Sequence, residues 1–136
     1  MTKWIFILFT ALLVEASVLG QKLVGHKKTD VITWMKEVKP DFVLDNTVVN
    51  SKFKYLKFID KINQETLLCF LSDDNICTMT RLMSDYSNLD KTIKRLNIEY
   101  KKTGSGKWKY TDENVEYTIE LKKDKWYFML ETHKAK

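Results

Sequence analysis

Thr78 to Leu96 reads TMTRLMSDYSNLDKTIKRL, and this stretch decides the fold. Met79, Leu82, Tyr86, Leu89, Ile93 and Leu96 recur at spacings of 3-4-3-4-3, with Arg81, Ser84, Asp85, Asn88, Lys91 and Arg95 on the other side. That is the pattern of an amphipathic helix of about five turns. It spans fewer than three heptads, too few to sustain a coiled coil alone, so the apolar stripe is expected to pack on the core. Ser72-Asp73-Asp74-Asn75 just before it offers N-cap oxygens and acids suited to the positive end of a helix dipole.

Working back from that helix, Thr66 to Leu71 (TLLCFL) reads as a buried strand, apolar on both faces, after a turn at Asn63-Gln64-Glu65. Phe53 to Ile62 alternates but slips phase between Tyr55 and Leu56, as at a bulge; a helix also fits its three-residue steps. Phe42-Val43-Leu44 and Thr47-Val48-Val49 suggest extended chain around a turn at Asp45-Asn46. Earlier still, Val31, Ile32, Trp34, Met35 and Val38 mark a short helix capped by Thr29 and stopped by Pro40.

Working forward, the chain alternates. Trp108 and Tyr110, then Val115, Tyr117, Ile119 and Leu121, form apolar faces opposed by Lys107, Lys109, Glu116, Thr118 and Glu120. Turns fall at Thr103-Gly104-Ser105-Gly106, Thr111 to Asn114 and Lys122-Lys123-Asp124. Trp126 to Leu130 is apolar on both faces, as suits a central or covered strand, and Glu131 to Lys136 reads as a charged tail. Trp126, Phe128 and Leu130 are expected in the core with Trp108 and Ile119, which leaves Tyr127 and Met129 on the opposite face as the candidate surface for a ligand or partner. The expected fold class is thus α+β: a single domain over 29–136, with one long helix packed across an antiparallel sheet that ends in a three-strand meander. The order of elements is similar to cystatin-like and NTF2-like folds, a likeness that carries no function.

Met1 to Gly20, MTKWIFILFTALLVEASVLG, has one lysine, an apolar run from Trp4 to Val14 and then small residues, the anatomy of a signal peptide. Eleven helical residues cover about 16 Å, well short of a bilayer's hydrocarbon core of about 30 Å, so stable membrane insertion after cleavage is not expected. Cleavage after Gly20 leaves Gln21 first, with 21–28 as a flexible basic arm; cleavage after Ala16 is the other fit. Export implies a secreted or periplasmic protein. The net charge of +5 survives loss of Lys3 and Glu15, and its lysines are dispersed among acids, as on a solvated surface rather than a nucleic-acid stripe. No nucleic acid is therefore expected as a partner.

With 44% hydrophobic and 12% aromatic residues in 136, global disorder is disfavoured, and two cysteines are too few for a disulfide scaffold or a cysteine-based zinc site. In an exported chain Cys69 and Cys77 are candidates for a single bridge, worth about 2.5 kcal/mol by chain entropy; they reach one another only if the long helix starts near Thr78. The histidines, His26 and His133, sit in terminal arms, and no G-x-S-x-G, H-E-x-x-H, C-x-x-C or phosphate-cradling glycine loop occurs. No metal or cofactor is expected. Gln21 to Gly25, QKLVG, resembles the Q-x-V-x-G loop of cystatins. It has Leu for Val, however, and lies before the first helix, and the chain lacks the four cysteines of secreted cystatins. The reading is an exported, non-enzymatic binding or interaction protein whose partner is an extracellular protein or small ligand. The alternatives are a small exported hydrolase using carboxylates, and a cationic protein that binds anionic surfaces.

Overall fold

The computed structural model describes residues 23–46 and 54–136. The stretch expected to be one long helix is divided. Cys77–Asp85 is a nine-residue strand (β4), Tyr86–Asn88 is a single 3-10 turn, and Leu89–Glu99 is a helix of only eleven residues (α2). The α+β expectation of a long helix across a sheet is corrected accordingly: the described residues form mostly one eight-stranded antiparallel sheet with two short helices. The cystatin-like and NTF2-like order is lost with the long helix on which it rested.

The sequence allows this because, beyond Thr78, β4 is at least partly buried on both faces. Thr80, Leu82 and Ser84 point inward and are buried, while Met79, Arg81 and Met83 point outward and are partly buried. Methionines on the second face blur the two-residue period, and Met79, Leu82 and Tyr86 then mimic helical spacing. Pairing on both sides, with β3 and β8, supplies what local propensity does not. The expected N-cap Ser72 to Asn75 is a hairpin turn, with Asn75 at φ 60 and its N–H donating to Ser72 O. Asp, Asn and Ser serve caps and turns by the same side-chain chemistry, so composition alone does not separate the two. In α2, Leu89, Ile93 and Leu96 keep the spacing read for them, and Leu96 is fully buried.

The first meander contains β1 (Val43–Leu44), β2 (Tyr55–Asp60), β3 (Glu65–Leu71) and β4; the second contains β5 (Lys101–Gly104), β6 (Lys107–Asp112), β7 (Val115–Lys123) and β8 (Tyr127–Lys134). The sheet order β1-β2-β3-β4-β8-β7-β6-β5 joins them through their last strands. Of the two stretches read as apolar on both faces, Trp126 to Leu130 falls largely in β8, one of the two central strands, and Thr66 to Leu71 in β3, beside the other. The expected three-strand meander has four strands. The expected tail is instead the end of β8, where Glu131 and Thr132 are buried. β2 is regular, and the register irregularity lies between Phe70 and Leu71 in the β3–β4 pair. Expectations at Thr47 to Val49 and at Phe53 fall outside the described residues.

One face of the sheet carries the core. Phe58, Leu67, Leu82, Leu130, Phe128, Ile119 and Trp108 form a cluster with Val31 and Met35 of α1 (Lys28–Val38) and Leu96 of α2. Burying a large apolar side chain contributes about 1.5–3 kcal/mol, so these residues dominate the stability. α1 falls where its periodicity indicates, but Thr29 lies inside it and accepts from the Thr33 hydroxyl; Lys27 stands at the N-cap with no side-chain bond. Leu23 to Lys28, read as part of a flexible arm, is docked. Leu23 and Val24 are buried, Gly25 N donates to Cys77 O at 2.7 Å, Cys77 N to His26 O at 2.8 Å, and Lys28 N to Asn75 O at 2.8 Å. Among the described residues no helix is long and apolar enough to cross a membrane.

Candidate functional site

The register defines one end of the sheet. Asp60, Glu65, Ser84, Phe128 and Lys123 form a row of cross-strand neighbours there. On the outer face at that end, Thr66 lies opposite Met83 and Asp85 opposite Tyr127. These four residues, with Ser84, Gln64 from the β2–β3 turn and Trp126 from the β7–β8 turn, line an open cleft of about 280 Å³. Three bonds hold its walls together: Asp85 N donates to Gln64 O at 3.3 Å, Asn88 Nδ2 to Asn63 O at 3.0 Å, and the Tyr86 hydroxyl to Asp124 O.

Tyr127, singled out from the alternation, lies in this cleft and is partly buried. Met129 lies one step further along β8, beside Met83 and Lys122, on the same face but outside the cleft. α1 does not cover them, since its Val31 and Met35 pack with the inner-face core. Trp126 departs from expectation: it is 76% exposed in the turn, with the Lys125 ammonium 5.1 Å from its ring centre. Thr66, Met83 and Asp85 escape the sequence reading because they share a face with Tyr127 only once 77–85 is a strand.

The cleft is chemically mixed. Met83, Trp126 and Tyr127 give an apolar, aromatic surface, and Gln64, Thr66 and Asp85 give polar groups. Asp85 Oδ2 accepts from Ser87 N at 2.9 Å, and bonding to Ser87 lowers its pKa, so the carboxylate is charged at neutral pH. The volume lies just below the usual range for drug-sized ligands, and matches a fragment-sized molecule or one inserted side chain.

Two carboxylates, Asp60 and Glu65, lie directly opposite each other on the inner face of the same end. Asp60 accepts from Ile62 N (2.9 Å), Asn63 N (3.0 Å) and Asn63 Nδ2 (2.8 Å), and so stiffens its own turn. Glu65 accepts from the Ser84 hydroxyl at 2.8 Å, and Ser84 in turn accepts from Asn88 Nδ2 at 3.0 Å. Burial raises the Glu65 pKa, with the Asp60 charge adding to it against the Ser84 bond. Neither acid lines the cleft. His133 lies opposite Met79 in β8, away from this end.

Cys69 and Cys77 are free thiols in this structure, both buried on the inner face. β4, rather than a helix start, carries Cys77 back toward Cys69, and the Cys77 thiol donates to Met79 O at 3.7 Å. The interaction with Cys77 and burial push the Cys69 thiol well above the ordinary range, while the interaction with Cys69 lowers Cys77. Among the described residues no group of three or more His, Cys, Asp or Glu side chains is placed to hold a metal ion. Comparison with protein-family models, curated proteins and solved structures found no match for this chain.

Proposed function

We propose that this chain is an exported, non-enzymatic binding protein that receives a fragment-sized amphipathic group in the cleft at Tyr127, either a small ligand or a side chain presented by a partner. The observation that carries the reading is the cleft itself: Tyr127, Trp126 and Met83 offer an apolar seat beside the charged carboxylate of Asp85. Such a seat suits an aromatic body that carries a donor or cationic end, because the ring buries apolar area while the carboxylate orients the charge. The signal-peptide anatomy of Met1 to Gly20 supports an extracellular or periplasmic setting.

Tyramine, an aromatic amine of this size, is a suitable probe. Trp126 emission is expected to respond to it, Tyr127→Ser and Asp85→Asn are each expected to weaken that response several-fold, and Tyr127→Ser is expected to move the thermal midpoint by no more than about 4 °C. An unchanged response in both variants would remove the cleft as the binding site.

A further inference from the structure

Val43, Ile62, Ile98 and Trp126 are the large apolar side chains most exposed among the described residues. Three of the four stand at the same end of the sheet. Val43 opens β1 opposite Ile59, Ile62 (77% exposed) sits in the β2–β3 turn, and Trp126 sits in the β7–β8 turn. The two turns flank one cleft, so Ile62 and Trp126 project from neighbouring hairpin tips. An isolated exposed apolar residue needs no explanation, but two at adjacent tips with lysines beside them do.

The tips carry both signs of charge, and the acids and lysines are engaged differently. The acids turn toward their own chain: Asp60 to the amides of Ile62 and Asn63, Asp124 Oδ1 to Lys125 N at 2.7 Å, and Asp85 to Ser87 N. Lys61, Lys123 and Lys125 are exposed beside the apolar tips. Asp41, exposed two residues before Val43, opposes this charge, so Val43 is left outside the surface.

We propose that this end of the sheet docks peripherally on an anionic lipid surface, with Ile62 and Trp126 entering the headgroup layer and Lys61, Lys123 and Lys125 facing its phosphates. Tryptophan favours the membrane–water interface because its ring is apolar with one polar edge, and lysine draws a protein to anionic lipid over about a Debye length. A soluble polyanion would use the lysines but not the apolar tips. Ile62 lies outside the cleft while Trp126 lines it, so the two surfaces share Trp126 and Ile62 alone reports on this one.

The test is co-sedimentation of the mature chain with sucrose-loaded vesicles of phosphatidylcholine, with and without about 30 mol % phosphatidylserine, in about 0.1 M salt. Partitioning is expected only with phosphatidylserine, accompanied by a blue shift of Trp126 emission. Ile62→Ser and Trp126→Ser, both at exposed positions, are each expected to lower the partition coefficient at least about fivefold. Ile98→Ser, at an equally exposed site on α2, is expected to leave it unchanged. The proposal is overturned by absence of partitioning, by equal binding to both vesicles, by an equal loss in Ile98→Ser, or by binding to soluble heparin without binding to vesicles. Loss in Ile62→Ser with the tyramine response intact would separate this surface from the cleft.

Discussion

Arg81 on β4 and Glu131 on β8 lie opposite each other across the seam between the two meanders, with Arg81 Nη2 2.7 Å and Nε 2.8 Å from Glu131 Oε2. The Lys122 ammonium holds the other carboxylate oxygen, and Arg81 also lies 5.4 Å from the Phe70 ring centre. Burial alone would raise the Glu131 pKa, but the bonds and charges of Lys122 and Arg81 together lower it. A carboxylate with a lowered folded pKa contributes stability above the ordinary Glu range, and that contribution is lost as pH falls through the folded value. Glu65 has the opposite sign: its raised pKa makes its contribution largest below the ordinary 4.5 and loses it as pH rises through the folded value. Glu131→Gln is therefore expected to cost about 1–2 kcal/mol near neutral pH and less in acid. Glu65→Gln is expected to be better tolerated near neutral pH than below pH 4.5. Urea unfolding of both variants across pH checks the two signs.

Phe128 and Trp126 are two residues apart and should respond oppositely to truncation. Phe128 is fully buried and its ring lies 6.1 Å from that of Tyr86, so Phe128→Ala is expected to cost about 3–5 kcal/mol. Trp126→Ala is expected to stay within about 0.5 kcal/mol of the parent, because the side chain is already in water. Denaturant midpoints measure both.

The docked N-terminal segment makes a separate prediction. A chain beginning at His26 lacks Leu23 and Val24, which fill the core, and is expected to lose about 2–4 kcal/mol relative to one beginning at Gln21. Equal stability of the two chains, measured in urea, would mean that the segment contributes no packing.

The thiols should be silent in the folded state. Ellman's reagent is expected to react with Cys69 and Cys77 only as fast as the protein opens, because both are buried. Their contact also makes the bridge anticipated from sequence the expected product of refolding with oxidised glutathione, in which two thiols lose two hydrogens as the glutathione disulfide is reduced to two thiols.

The second meander was legible in the sequence where one face is wet. In β6 and β7, Trp108 and Ile119 alternate with lysines and glutamates, and Lys109 pairs with Glu116 at 3.3 Å as the alternation implies. The central strand β4 was not, because Met79 and Met83 on its outer face remove the polar half of the alternation while Thr80 and Ser84 put polar groups inside. The inward hydroxyl of Ser84 is satisfied by Asn88, four residues on, which the helical reading put beside it on the polar side, and by Glu65, 19 residues away, which no local window shows to be its neighbour. Tyr127 was placed on the face away from Phe128 and Leu130 because β8 alternates around it. Gln64, Thr66 and Asp85 were not placed beside it, because their proximity depends on the β3–β4–β8 register.

The proposed binding site is the cleft between the β2–β3 and β7–β8 turns. Amide shift mapping of an isotope-labelled chain beginning at Gln21, titrated with tyramine, locates it. Saturable shifts are expected to be confined to Gln64, Thr66, Met83 to Asp85, Trp126 and Tyr127; saturable shifts centred elsewhere, or none at millimolar probe, would rule the cleft out.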